Sequence, residues 1–225
     1  YVLGIAQSER AERIRGATSI KLHREAAENL AHAAEFGFSE GREEQGLLRL
    51  GKSLLYSGQP EASREPLRAA LARGFGNRLE LERLLAEACL REPRPEPKAA
   101  RAHIEKYLAN PRISSEDRKE AELLRAEILI KLGSADEVEQ ALQPLLADAT
   151  TRDRATILQA RQFMEQGRQQ LERAHLENKQ QGVSASHEIF QRAIDLLRKV
   201  QADAPRNHEV NSAAMYLIGH CYLSL

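Results

Sequence analysis

The chain has 225 residues, of which 42% are hydrophobic and 29% charged, and its 33 basic residues equal its 33 acidic ones. This composition excludes a disordered chain, because it has enough apolar residues to build a packed core. The zero net charge argues against nucleic-acid binding, which needs a basic surface to neutralise phosphates. Aromatic residues make up only 4%, so we expect a core of Leu, Ala, Ile and Val.

The sequence has no segment that indicates a membrane span or a secretory signal. No apolar run approaches the roughly 18 residues that a spanning helix requires, so we expect no membrane insertion. The chain starts at Tyr1 inside an apolar pattern and stops at Leu225, one residue before an expected turn glycine. We therefore interpret it as a fragment of a longer protein. Its compartment stays open: cytoplasmic, or extracytoplasmic if an N-terminal signal or anchor was removed.

Apolar residues recur at three- and four-residue spacing along nearly the whole chain, which is typical of α-helices, and no strand pattern is found. Gly58, Gly133 and Gly182 are expected to end helices, because Gly adopts the left-handed cap conformation at little cost. Three prolines in the segment 92–97 predict a stiff link, with a domain boundary there as the alternative. The pattern predicts eleven helices, at about 1–14, 18–36, 42–57, 60–73, 77–91, 97–109, 115–132, 135–147, 151–181, 184–202 and from 209 onward.

A short sequence phrase recurs in the chain. In each copy a small residue is followed two or three places later by a larger or apolar one, and in three copies a glycine falls seven residues after the small residue. Self-similarity at a regular spacing indicates a stacked repeat architecture. The copies begin at Gly51, Ala86, Ala126, Ala160 and Gly219.

These residues resemble the tetratricopeptide repeat (TPR) family, whose unit is a helix pair of about 34 residues. Ala126 and Ala160 are 34 residues apart, and the best copy lies in Ala121–Leu146. The resemblance implies an all-α fold, a right-handed α-solenoid of about five antiparallel helix pairs plus a C-terminal half-repeat. We expect a single superhelical domain, 1–225, with an irregular first pair 1–36, regular repeats at about 42–147, an elongated pair 151–202 and a half-repeat 209–225.

Two pairs are longer than the family unit. The excess in the pair 151–202 is close to four helical turns, which lengthens both helices while their packed faces stay in phase. We therefore expect a protruding pair that carries the polar run Gln166–Gln181. A looser helical-repeat solenoid is the alternative to the regular family fold.

The sequence has no pattern typical of a catalytic, metal or cofactor site. No two histidines are spaced i, i+4, and no nucleophile elbow, phosphate-binding loop or dinucleotide fingerprint is present. We predict a protein that is not an enzyme, with no cofactor. Cys89 and Cys221 lie in apolar stretches and are expected to be buried free thiols. Most histidines are expected to be solvated, with His220 half-buried.

The resemblance also implies a binding surface. First helices of stacked hairpins line the concave side of a solenoid, and a mixed-charge groove there can hold a peptide by charge pairing and hydrogen bonds. The alternative is that these charges only keep the surface soluble. The equivalent outward positions are Lys52, Glu87, Glu127 and Arg161, followed one turn later by Tyr56, Arg91, Lys131 and Glu165.

The function that this resemblance implies is a non-enzymatic scaffold or adaptor that binds a protein or peptide segment. One alternative is an accessory module that positions a catalytic domain outside this fragment. Another is a self-associating repeat, because the last helix is expected to expose apolar residues among Met215, Leu217, Ile218 and Tyr222. RNA binding ranks below these, since the chain is neutral and has few aromatic residues for stacking.

Overall fold

The computed structural model describes residues 1–74, 78–177, 179–203 and 207–225, and this part of the chain contains eleven α-helices and no strand. The all-α prediction is therefore confirmed. The helices are α1 (Val2–Glu12), α2 (Ala17–Glu35), α3 (Glu43–Tyr56), α4 (Pro60–Ala72), α5 (Arg78–Arg91), α6 (Pro97–Leu108), α7 (Ser115–Leu132), α8 (Ala135–Ala147), α9 (Arg152–Leu176), α10 (Gln180–Asp203) and α11 (His208–Leu223).

Local signals account for several of the helix ends. Gly58 and Gly133 have φ of 89° and 73°, so each adopts the left-handed conformation predicted for a helix stop. At the start of α7, the Ser114 hydroxyl oxygen accepts a 3.0 Å hydrogen bond from the backbone N–H of Asp117. This N-cap satisfies one of the amide groups that a first helical turn leaves without a partner.

The prediction that Gly182 ends a helix is wrong. Gly182 lies inside α10, which begins at Gln180, and α9 ends at Leu176 rather than near 181. A Cβ atom at Gly182 would lie 2.7 Å from the Cβ atom of Ala174 on α9. The missing side chain therefore lets the two long helices approach each other. Within the polar run predicted at 166–181, residue 178 lies outside the described residues.

The chain divides into two compact units, residues 1–112 and 113–225. In the first unit each of α1 to α5 packs on the next helix, and α3 also contacts both α1 and α5. The proline-rich link 92–97 lies inside this unit. A buried cluster forms its core: Leu48, Leu55, Leu67, Ala70, Leu81, Leu84, Leu85 and Ala88.

The second unit repeats this order of contacts. Each of α7 to α10 packs on its successor, and α9 also contacts both α7 and α11. One buried cluster joins α7, α8 and α9 around Leu129 and Leu142, and another joins α9, α10 and α11 around Phe190 and Leu197. The single superhelical domain expected for 1–225 stays a prediction.

Contacts between successive helices and between alternate helices are typical of stacked hairpins. Arg73 at the end of α4 forms an ion pair with Glu43 at the start of α3, at 2.5 Å, so these two helices are antiparallel. A Cβ atom at Gly51 on α3 would lie 2.5 Å from Cγ of Leu67 on α4. In this copy of the recurring phrase, the absence of a side chain at Gly51 therefore lets α4 approach α3 closely.

Candidate functional site

Four of the predicted binding residues lie together in the first unit. Lys52 and Tyr56 are on α3, and Glu87 and Arg91 are on α5. They form polar contacts with residues of α1, α3 and α5, and the Tyr56 ring also packs against the ring of His23 on α2, so that all of these residues form one network. We call this network the polar cluster; its members are Glu9, Glu12, His23, Arg49, Lys52, Tyr56, Glu80, Arg83, Glu87 and Arg91.

Lys52 is at the centre of the polar cluster and connects three helices. Its Nζ atom lies 2.7 Å from Oε1 of Glu12 on α1 and 2.9 Å from Oε1 of Glu80 on α5. Burial disfavours the ammonium ion, but its hydrogen bonds to both carboxylates outweigh this effect and raise the pKa of Lys52. Arg49, one turn earlier on α3, also contacts Glu12, at 2.5 Å. Lys52 is therefore charged and held in place.

Glu87 organises the other end of the polar cluster. Its carboxylate accepts hydrogen bonds from the Tyr56 hydroxyl at 3.1 Å and from Arg83 at 3.3 Å, and it pairs with Arg91 at 2.5 Å. The Arg91 guanidinium also lies 5.8 Å from the centre of the Tyr56 ring, in cation–π range. Glu87 is only 7% exposed, so the expectation that it points outward is wrong. The buried Glu87 carboxylate instead positions Tyr56 and Arg91, which do reach solvent.

His23 belongs to the polar cluster, although the sequence analysis expected most histidines to be solvated. It is 4% exposed on α2, and its ring lies 5.4 Å from that of Tyr56. Burial is the main cause that lowers its pKa; Lys52 and Arg49 act in the same direction, and Glu12 opposes them. Its spacing from Ala26 and Leu30 on the packed face of α2 is the signal that could have predicted its burial.

The other predicted residues lie in the second unit. Arg161 on α9 pairs with Glu127 on α7 at 2.7 Å, so here too a side chain of one first helix contacts one on the next. Lys131 lies in the last turn of α7 and is exposed. Glu165 pairs with Arg168 on its own helix, at 2.7 Å. The binding roles of all these residues stay predictions.

A different polar surface lies on α4 and the proline-rich link. Arg64 bonds Glu92 at 2.8 Å and Glu96 at 2.9 Å, and its hydrogen bond lowers the pKa of the Glu96 carboxyl. The role of Arg64 here is structural, because it holds both ends of the link against α4. The surrounding open cleft has a volume of about 810 Å³ and is lined by Glu61, Arg64, Glu65, Arg68, Ala69, Ala72, Glu92 and Glu96.

The cysteines and histidines offer little further chemistry. Cys89 and Cys221 are buried and unpaired, as predicted, and burial raises the pKa of both thiols. His220 is exposed rather than half-buried, and its ring packs edge-on against Tyr216 at 4.6 Å. Within the described ranges, no three His, Cys, Asp or Glu side chains are grouped so that they could hold a metal ion.

Comparisons with family models, with curated proteins and with solved structures give no significant match to this chain. The resemblance to the TPR family therefore rests on the recurring sequence phrase. None of the helices in the described part of the chain is long and apolar enough to cross a membrane.

Proposed function

We propose that this chain is a non-enzymatic, TPR-like module that binds a protein or peptide segment along its first helices. The proposed architecture is a right-handed α-solenoid of antiparallel helix pairs. The recurring small residue supports it, as do the contacts of α1 with α3 and of α3 with α5. Surfaces built from successive first helices are used by helical-repeat proteins to hold extended ligands.

The polar cluster is the observation that carries this proposal. Donors and acceptors from three helices, α1, α3 and α5, are held there by mutual ion pairs, so little side-chain freedom is left to lose when a ligand binds. Its members are recessed but not closed off. The Lys52 side chain is 15% exposed, whereas that of Arg91, at the edge of the cluster, is 53% exposed.

The charges of the polar cluster suggest the chemistry of the ligand. Arg91 presents an exposed guanidinium beside the Tyr56 ring, which suits a carboxylate on the ligand. At the α1 end, Glu9 is 44% exposed and suits a lysine or arginine. The proposed ligand is thus a segment of mixed charge, with its acidic residue near Arg91 and its basic residue near Glu9.

Selection of peptides on the immobilised full chain, followed by calorimetric titration, tests this function. The variant Tyr56→Phe/Arg91→Ala removes one hydroxyl and one exposed cation and keeps the ring. We expect it to bind the selected peptides at least about tenfold more weakly, which is a loss of roughly 1.4 kcal/mol. Arg68→Ala, on the α4 cleft, is the matched control and should bind within about twofold of the wild type.

Two results would contradict the proposal. Equal affinity of the double variant and the wild type would place peptide binding elsewhere on the chain. Failure to enrich any peptide from a diverse library would remove the binding function itself. Thermal unfolding of each variant, monitored by circular dichroism, checks that a weakened affinity does not come from a lost fold.

A further inference from the structure

His23 is a buried imidazole in contact with Tyr56. It lies on α2, is 4% exposed, and its ring centre is 5.4 Å from that of the tyrosine. Its Nδ1 atom is shielded from solvent and has no hydrogen-bond partner among the described residues. Because it is buried, this imidazole can affect a ligand at the polar cluster only through the residues that it touches.

The unpaired Nδ1 atom makes the position of His23 sensitive to protonation. In the neutral ring one nitrogen donates and the other accepts, whereas in the charged ring both nitrogens are donors. Leaving Nδ1 unpaired costs more when it belongs to a cation, because burial of an unpaired charged donor is more unfavourable than burial of a neutral group. The packed position therefore favours the neutral imidazole.

The charged groups that face His23 come from the two helices packed against α2. Helix α3 contributes Arg49 and Lys52, which repel a positively charged ring, and α1 contributes Glu12, which attracts one. The Glu12 carboxylate is already bound by both cations, by Arg49 at 2.5 Å and by Lys52 at 2.7 Å. Together with burial, which is the main cause, these surroundings lower the pKa of His23.

Tyr56 connects His23 to the residues that hold the proposed ligand. Its ring contacts the imidazole, its hydroxyl donates a 3.1 Å hydrogen bond to Glu87, and the Arg91 guanidinium lies 5.8 Å from its ring centre. A protonated His23 needs water or an acceptor at Nδ1, so its ring has to leave the packed position. Tyr56 then loses the neighbour that fixes it beside Arg91.

We propose that His23 is a positioning residue of the polar cluster, which holds Tyr56 in place for the ligand only while its imidazole is neutral. Protons thereby regulate the site: the ligand binds at pH 7 and is released in acid. This inference rests on the proposed function, because it concerns the same site and the same mixed-charge ligand.

The linkage between proton and ligand binding gives the sign of the effect. A ligand that lies over Tyr56 and Arg91 holds the tyrosine against His23 and keeps water away, so the complex takes up a proton less readily than the free chain. Acid therefore favours the free chain. We expect the dissociation constant of the wild type to rise at least about fivefold between pH 7 and pH 5.

Calorimetric titration at the two pH values tests this inference. The probe is a peptide selected on the full chain at pH 7 that contains Asp and Arg but no His, so it keeps nearly all of its charge at pH 5. His23→Phe keeps an aromatic ring beside Tyr56 and cannot be protonated. We expect its dissociation constant to change by less than about twofold between pH 7 and pH 5, whereas the exposed-histidine control His175→Gln should show the full wild-type rise.

A second measurement needs neither a variant nor a ligand. In the nuclear magnetic resonance spectrum of the free wild type, the ring signals of Tyr56 should shift with the same midpoint as those of His23 when the pH is lowered. Tyr56 signals that stay constant through the titration of His23 would overturn the inference.

The binding data can overturn the inference in two further ways: equal wild-type affinity at both pH values, or an equally large loss of affinity in His23→Phe. Absence of peptide binding even at pH 7 would overturn the proposed function and this inference together, so the two failures are distinguishable. Circular dichroism at pH 5 checks that each protein is still folded.

Discussion

At the residue scale, the polar cluster shows how contacts between helices shift the pKa values of single side chains. Lys52 has two carboxylate partners, Glu12 and Glu80, on two other helices, and its pKa is raised although burial opposes its charge. For His23, in the same cluster, burial is the main influence; the Glu12 charge opposes it, the Lys52 and Arg49 charges add to it, and its pKa is lowered. The same cluster therefore raises the pKa of one basic side chain and lowers that of another.

His23 makes the stability of the fold depend on pH. Because its pKa lies below the ordinary 6.5, the folded state binds fewer protons than the unfolded state as the pH falls through this value. Stability is therefore fully present above pH 6.5 and decreases below it. We expect the urea midpoint of the wild type to fall between pH 7 and pH 5, and His23→Phe to reduce that fall.

The control for this prediction is His175→Gln, at an exposed histidine in the last turn of α9. It should keep the wild-type dependence on pH. If the urea midpoint of His23→Phe falls between pH 7 and pH 5 as much as that of the wild type, another group causes the loss of stability in acid.

The contacts of the polar cluster could not be predicted from the sequence. Lys52 and Glu12 are 40 residues apart, and their contact depends on how α3 packs against α1. Local spacing indicated that Lys52 and Glu87 were equivalent positions, but not that Glu87 turns inward to hold Tyr56 and Arg91. Pairing between helices is set by their packing distance and register, and neither is a local property.

At the scale of the helices, the sequence was far more informative. Most of the described helix ends lie within two residues of the prediction, because apolar spacing, caps and prolines act within one or two turns. The exception is the hairpin of α9 and α10, where Gly182 was assigned to a stop. A glycine inside a helix serves close packing as readily as it serves a cap, and only the neighbouring Ala174 distinguishes the two roles.

Two helical glycines are expected to respond to alanine in opposite directions. Gly51→Ala places a methyl group 2.5 Å from Leu67, so we expect it to lower the free energy of unfolding by about 1–3 kcal/mol. Gly219→Ala adds its methyl group where none of the described atoms lies within 4 Å, so the higher helix propensity of Ala should raise it by about 1 kcal/mol. Urea unfolding of both variants measures the two changes. Effects of the same sign would contradict this account of the two glycines.

At the scale of the whole molecule, each compact unit has an apolar core of its own. The core of residues 1–112 centres on Leu67 and Leu84, and the clusters of residues 113–225 centre on Leu129 and Leu197. Stacked hairpins draw their stability from contacts between neighbours, so a unit with several complete pairs does not need distant segments in order to fold. Each unit is therefore expected to fold and to stay folded without the other.

We expect the fragments 1–112 and 113–225, expressed separately, to be helical and to unfold cooperatively. Circular dichroism during heating measures this directly. The fragment 1–96 is the control: it removes α6, which covers α5, and should unfold at a clearly lower temperature than 1–112. Loss of structure in both of the larger fragments would show that neither unit is independent.

The two buried thiols have a practical consequence. Cys89 lies in one compact unit and Cys221 in the other, and each is fully shielded from solvent in the folded state. An alkylating reagent therefore reaches each sulfur only when the surrounding helices separate. Labelling rates at the two positions, resolved by mass spectrometry, would report opening of each half of the unmodified chain independently, with one internal reporter on either side of residue 112.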